Sequence, residues 1–308
     1  MAVSDRAPAE AVDGPATGGR GIAWLDPFPP VALVIIASTS VQFGAALGAT
    51  LFDTLGPGGA SLLRQGFAAV VLLAIWRPRL SAHPAPALRL AGAFGLTLGL
   101  MNLCFYEALD RIPLGVCVTI EFIGPVAVAV LFSRRALDLV WVVLAVGGIV
   151  LLADPFGAGG VDPVGLAYIL VAATCWAIYI VLAQRATRVF DGSTGLALAA
   201  AVAWLVPLGP GLTETTLGQL LAPGALALGL AVACLSSVVP YSLESESLRR
   251  MPANVFGVLM SLEPAVAALA GFVVLGQRLG ARELVAIALV IAASIGVTRT
   301  AAPPVVDA

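Results

Sequence analysis

The chain contains no lysine: all sixteen basic residues are arginine. That absence removes the lysine of a Walker-type nucleotide site, a Schiff-base lysine and a lysine nucleophile, and with them any visible means of using ATP. Histidine is nearly as scarce. The single copy, His83, falls in the loop between Arg77 and Pro86, which excludes histidine-based zinc sites and Ser-His nucleophile pairs inside apolar segments. Charge of either sign is thin: 11% of the 308 residues are charged, against about 25% in an ordinary soluble domain. The net charge of −2 points neither to nucleic acid nor to an anionic surface as partner. Four cysteines, Cys104, Cys117, Cys175 and Cys234, sit in apolar runs without C-x-x-C spacing and read as small buried side chains. No motif asks for a cofactor or a metal.

What the chain has in abundance is apolar surface, with 60% hydrophobic residues. Runs from Val31 to Val297 recur about every 25 to 30 residues, each long enough to cross a hydrocarbon core of roughly 30 Å as a helix. The pattern predicts an all-α polytopic membrane protein with ten transmembrane helices, near residues 31–52, 57–76, 89–109, 114–133, 138–154, 164–184, 193–210, 223–245, 253–275 and 283–299. The seventh and eighth carry the weakest signal. Pro and Gly mark the connections at Gly56-Pro57-Gly58, Ile112-Pro113 and Met251-Pro252. Residues 1–30, rich in Ala, Pro, Gly and Asp and without the basic start of a cleavable signal, read as a disordered tail, and 301–308 as a second. Placing both termini in the cytoplasm puts Arg6, Arg20, Arg77, Arg79, Arg89, Arg134, Arg135, Arg185, Arg188, Arg249, Arg250 and Arg299 inside, leaving Arg111, Arg278 and Arg282 outside. This strong positive-inside bias predicts cytoplasmic tails.

The two halves of the chain echo each other. Arg111-Ile112-Pro113 precedes Pro125 by the same interval that separates Arg250-Met251-Pro252 from Pro264, and the halves match at an offset of 139 positions. Ala37-Ser38-Thr39-Ser40 and Ala172-Ala173-Thr174-Cys175 give a fainter likeness. A five-span half has an odd number of crossings, so its second copy enters the bilayer with opposite polarity. The expected plan is two inverted five-helix repeats, 31–155 and 163–300, with a substrate site between them.

Ionisable groups within the spans are the first functional candidates, because hydrocarbon tolerates them only when they pair or face a cavity. Three stand out: Arg64, Glu121 and Glu263. At about 1.5 Å per residue, Arg64 lies roughly 10 Å and Glu121 roughly 11 Å below the outer surface, while Glu263 reaches about the midplane. Arg64 and Glu121 share a depth, which fits either a structural ion pair or a binding pair open to a central cavity. Pro125 and Pro264 interrupt their helices at matched places, free backbone carbonyls and make candidate hinges. Pro207 and Pro240 read as simple kinks. Gln42, Asn102, Tyr106, Trp176, Tyr179 and Tyr241 are further binding candidates, with Thr119 and Ser261 alongside, although single polar residues in such helices commonly serve helix contacts. Glu107, Asp110, Glu244 and Glu246 close their spans and are expected as solvated rim carboxylates. Gly44, Gly48, Gly95, Gly99, Gly147 and Gly148 read as close helix packing.

Taken with Asn102-Leu-Cys-Phe-Tyr106, Arg111-Ile-Pro-Leu-Gly115, Glu121-Phe-Ile-Gly-Pro125, Ser133-Arg-Arg135, Trp141-Val-Val-Leu-Ala145, Cys175-Trp-Ala-Ile-Tyr179, Val239-Pro-Tyr-Ser-Leu-Glu244 and Ser261-Leu-Glu-Pro264, the sequence resembles the drug/metabolite transporter superfamily. Within it, the likeness is to EamA-type threonine/homoserine exporters and covers about residues 31–300. The resemblance implies a bacterial-type inner-membrane location, ten helices in two inverted halves, and efflux of small amino acids in exchange for protons. It also leaves Gln277 where the family often has Glu, and supplies no transferable list of site residues. The partners then expected are an amino acid, protons and the lipid bilayer, with homo-oligomerisation left open. An exporter of another small metabolite or drug is the neighbouring alternative, and a non-transporting scaffold the remaining one. A lipid-modifying enzyme is disfavoured because no acids within the spans cluster at metal-ligand spacing.

Overall fold

The structure is a computed structural model that describes residues 27–131, 138–153, 161–190, 194–251 and 253–300. Residues 1–26 and 301–308 of the expected tails, Arg134, Arg135, Pro252 and the side chains of Tyr241 and Arg249 lie outside the described residues, and the expected first tail ends at Pro29, since Pro30 opens the first helix. Among the described residues all regular structure is helical. The helices are α1 (Pro30–Ala49), α2 (Phe52–Trp76), α3 (Ala85–Leu109), α4 (Leu114–Glu121), α5 (Ile123–Leu131), α6 (Asp138–Ala153), α7 (Pro163–Val189) and α8 (Thr194–Ala203). They continue with α9 (Leu208–Glu214), α10 (Leu217–Leu220), α11 (Pro223–Ala233), α12 (Val239–Arg250), α13 (Ala253–Met260), α14 (Glu263–Leu275) and α15 (Ala281–Thr300). A π-helical turn, Cys234–Val238, joins α11 to α12.

Among the described residues six stretches are long and apolar enough to cross a membrane: α1, α2, α3, α7, Pro223–Glu244 and Val255–Leu275. A seventh is the pair α8 and α9, bent by 42°. Shorter apolar helices run over Leu114–Val128 and Val140–Leu152. The chain is therefore a multi-pass membrane protein. The expected seventh span is a broken one, and Pro207 sits at its bend. The expected fourth is divided at Phe122 into α4 and α5.

Local chemistry sets the helix ends. Pro163 and Pro223 open α7 and α11, where a missing N–H costs nothing. The Asp162 carboxylate accepts from the Gly165 N–H at 2.7 Å and caps α7. Gly56 has φ +67°, a left-handed conformation that other residues adopt with strain, and there α2 kinks before Pro57. The carboxylate of Glu214, at the end of α9, accepts from the Gly58 N–H at 2.7 Å and so ties that kink to the bent seventh span. Gly276, with φ +66°, terminates α14.

Packing places the site. α3 lies against α7 and α8, α1 against α12 and α14, α4 against α14, α2 against α8, α9 and α11, and α6 against α15. Large apolar side chains such as Val70, Val143, Leu269 and Phe272 face outward, as lipid contact demands. The start of α1 meets the end of α12, with Ser247 Oγ 3.3 Å from the Pro30 carbonyl, and Gly257 of α13 packs on Thr298 of α15. Both described ends of the chain thus share one end of the bundle. The opposite end is closed by a buried cluster that includes Leu51, Leu55, Leu109, Ile112 and Leu114.

Several glycines let helices meet backbone to backbone. A Cβ at Gly95 or Gly99 would overlap the Ala199 or Ala203 carbonyl, and one at Gly124 would press on the Ala173 carbonyl and stand 3.2 Å from the Ala177 nitrogen. Gly147 departs from the packing expectation: nothing lies within 4 Å of its Cβ position. Gly124→Val is expected to destabilise the protein by about 1–3 kcal/mol through overpacking of α5 on α7, whereas Gly147→Ala leaves stability unchanged. Thermal unfolding of both variants in detergent checks this, and equal melting temperatures contradict the packing assignment.

Candidate functional site

A cavity of about 400 Å³ lies between the helices, within the usual size of a small-molecule site. Gln42 reaches it from α1, Arg64 from α2, Asn102 from α3, Glu121 from α4, and Trp176 and Tyr179 from α7. Ser236, Glu244, Met260, Glu263, Ser294 and Thr298 complete its polar and flexible wall. Glu244, Gly257 and Thr298 draw the cavity toward the end of the bundle that holds the chain ends, away from the closed apolar cluster.

Two helix breaks deliver two of the acids. Glu121 is the last residue of α4, just before the break at Phe122, and Glu263 is the first of α14, just after the break at Ser261 and Leu262. Phe122 and Ser261 are equivalent at the 139-position offset of the repeat. At each break the helix is interrupted, and the adjoining acid lines the shared cavity. The prolines follow the breaks: Pro264 sits in the first turn of α14, where its missing N–H is tolerated. Glu263 is 5% exposed, and Ser38 Oγ donates to its Oε1 at 3.5 Å.

Arg64 is held by an aromatic layer. Its guanidinium carbon lies 5.2 Å from the centroid of the Tyr106 ring, a cation–π contact of about 0.5–2 kcal/mol. Tyr106 is fully buried and packs edge-on to Phe52 with centroids 5.3 Å apart. It stands behind Arg64 and off the cavity wall. Among the described residues no carboxylate comes within 4.0 Å of Arg64. The structural ion pair with Glu121 is therefore not formed; both groups face the shared cavity instead. Three carboxyl groups, Glu121, Glu244 and Glu263, and one guanidinium, Arg64, line the same cavity.

The remaining candidates divide. Trp176 lines the cavity and is braced perpendicular to Phe122 at 5.1 Å, and Tyr179 lines it beside Phe94 at 5.2 Å. Asn102 lines it while its Nδ2 donates to the Leu98 carbonyl at 2.8 Å. Pro125 is on the wall, whereas Pro264 is buried beside it. Thr119 donates to Gly115 within α4, and Ser261 bonds Ser294 of α15 at 2.7 Å, so both serve helix structure. Gln277, where an acid was in question, has its Oε1 accepting from the Leu114 N–H at 3.0 Å and fastens α14 to the start of α4. Among the described residues no group of three His, Cys, Asp or Glu side chains converges as a metal site.

The rim assignment holds for the exposed Asp110 and needs correction for the other three span-ending acids. Glu107 is 9% and Glu246 3% exposed, and they pair with Arg111 and Arg250 one helical turn away. Glu244 lines the cavity. The physical reason is that α12 packs along α1 instead of projecting into water. Ser236 on the π-helical turn and Pro240 and Glu244 on α12 all line the cavity.

The EamA-like transporter family model matches residues 163–299. The chain is 42% identical over 283 residues to a protein named threonine/homoserine exporter RhtA from Salmonella typhimurium strain LT2, covering 90% of this chain and 92% of that one. The protein of the same name from Escherichia coli K12 is 42% identical over 282 residues, with the same coverage. A crystal structure of a further protein is 20% identical with a TM-score of 0.58, over 89% of this chain and 99% of that one, a likeness of fold alone.

Water access to the cavity is directly measurable. In a background with the four cysteines replaced, Thr298→Cys is expected to react with a charged, water-soluble thiol reagent about ten-fold faster than Val290→Cys, which lies on the same helix but is fully buried. Equal rates contradict an aqueous cavity.

Proposed function

We infer function from an established premise: the chain belongs to the EamA-like transporter family, within the drug/metabolite transporter superfamily. Its relatives are named as exporters, not enzymes, and the protein is a transporter of the same kind. The reading we put forward is outward transport of small amino acids of the threonine and homoserine type across the inner membrane, in exchange for protons. The observation that carries it is the charge arrangement of the cavity. One guanidinium and several carboxylates around about 400 Å³ suit a zwitterion of this size. In this reading Arg64 receives the substrate carboxylate, Glu121 its ammonium group, and Glu263 carries the coupling proton.

Alternating access supplies the mechanism: two inverted five-helix halves, 31–155 and 163–300, rock about the Pro125 and Pro264 segments. Supporting the inverted plan, contacts between the halves come in pairs with roles exchanged. The packing of α3 on α7 has its counterpart in that of α11 and α12 on α1, and the packing of α5 on α7 in that of α14 on α1. The α2 contact with α8 and α9 and the α6 contact with α15 join equivalent elements across the pseudo-axis, and the α4 contact with α14 joins the two equivalent broken spans. In the proposed cycle the apolar cluster around Leu55, Leu109 and Leu114 separates when the cavity reaches the other side.

Proton exchange fixes the sign of the pH effect: acid on the side that receives the amino acid should accelerate efflux. In proteoliposomes loaded with threonine, Glu263→Gln is expected to abolish that acceleration and lower pH-driven efflux about 10–100-fold, the loss of one charge-assisted interaction. Efflux by the variant at the wild-type rate, with the same response to pH, dismisses Glu263 as the proton carrier. Failure of the wild-type protein to move any amino acid overturns the proposed substrate class.

A further inference from the structure

The left-handed backbone at Gly56 interrupts α2 shortly after the helix begins. In an unbroken helix the Gly58 N–H would donate to the Thr54 carbonyl, four residues back. The kink parts that pair, and side chains from the second repeat take up both of its ends. The Glu214 carboxylate of α9 accepts from the Gly58 N–H at 2.7 Å, and Gln219 Nε2 of α10 donates to the Thr54 carbonyl at 3.1 Å.

Both side chains are fixed by their own surroundings. Gln219 Oε1 accepts from the Thr216 N–H at 2.9 Å in the capping box that opens α10, which leaves its Nε2 for Thr54. Glu214 lies over the glycines of the kink: a Cβ at Gly56 or Gly58 would run into its carboxylate. On the facing helix, a Cβ at Gly211 would stand 3.0 Å from the Gly58 carbonyl. Glycine on both helices therefore sets the approach at which these bonds form. Leu51 and Leu55, just before the kink, belong to the buried cluster that closes this end of the bundle.

The repeat offers no equivalent tie at the open end. At the 139-position offset Glu214 corresponds to Ile75 and Gln219 to Leu80, exposed apolar residues whose side chains neither accept nor donate. Gly195, the counterpart of Gly56, has no positive φ. The Leu114–Gln277 bond is of a different kind, because Asp138, equivalent to Gln277, is also an acceptor. In a two-state exchange, an interaction made in one state alone shifts the population toward that state. We propose that the Gly56 kink, Glu214 and Gln219 form a latch that holds the closed end shut when no solute is bound, so that the resting protein offers its cavity on the side of the chain ends. The latch yields by exchanging protein partners for water, since Thr54, Glu214 and Gln219 are exposed. The inference rests on the alternating-access reading and goes beyond it by assigning the contacts that favour one state.

Two cysteine reporters separate release of the latch from loosening of the fold. In a background with the four cysteines replaced, Leu109→Cys reports on the closed cluster and Thr298→Cys on the cavity. In purified protein without solute, Glu214→Ala and Gln219→Ala are each expected to raise the rate at which Leu109→Cys reacts with a charged thiol reagent by about five-fold and to lower the Thr298→Cys rate about two-fold. Glu214→Gln keeps an oxygen that accepts from Gly58 and should leave both rates within about two-fold of the parent. Unchanged Leu109→Cys rates in both alanine variants, while saturating threonine raises that rate in the parent, overturn the latch and leave alternating access standing. A parallel rise at both cysteines, the mark of a loosened fold, also overturns it. If neither threonine nor any variant raises the Leu109→Cys rate, the alternating-access reading fails and the latch falls with it.

Discussion

Hydrocarbon does not tolerate a bare charge, and the arrangement around Arg64, Glu121 and Glu263 follows from that constraint. Each of these groups occurs in an otherwise apolar stretch, and each is turned onto one shared cavity instead of into lipid or a packed face. Their surroundings are specific: the two acids adjoin the helix breaks at Phe122 and at Ser261–Leu262, and the guanidinium lies on Tyr106, itself packed against Phe52. Glycine contacts such as Gly124 on Ala173 bring the helices close enough to enclose the space without filling it.

The two ends of the bundle differ in kind. At one, leucines and Ile112 interlock around Tyr106 with no polar gap; at the other, Glu244, Gly257 and Thr298 extend the cavity toward the chain ends. Opening the closed end therefore costs apolar burial together with the ties at its edge, the Leu114 N–H to Gln277 and Gly58 N–H to Glu214 hydrogen bonds. In the proposed transport cycle that asymmetry belongs to one of two exchanging states.

Much of this was legible in the sequence, and the limits have physical causes. Apolar runs announced α1, α3 and α7 because a lipid-spanning helix has to be apolar over its whole length. The bend between α8 and α9 was readable as a kink at Pro207, although hydropathy alone averages across a 42° turn. Arg64, Glu121 and Glu263 were readable as charges in the wrong solvent. Glu244 was not, because it falls where the run turns polar and only the packing of α12 on α1 carries it to the cavity. The i,i+4 pairs Glu107–Arg111 and Glu246–Arg250 were visible as spacing, but their burial was not. Ser236 was missed for a different reason: a serine in an apolar helix ordinarily bonds its own backbone, and nothing in the residue order discloses a π-helical turn.

The central claim is that the sparse charges face a solute. Isothermal titration of threonine into the purified protein, wild type beside Arg64→Gln, tests it without reference to flux or pH. The account predicts one saturable site in the wild type and affinity about 10–100-fold weaker in the variant, at an unchanged melting temperature. Binding by the variant indistinguishable from wild type, or no saturable site in the wild type, would contradict it.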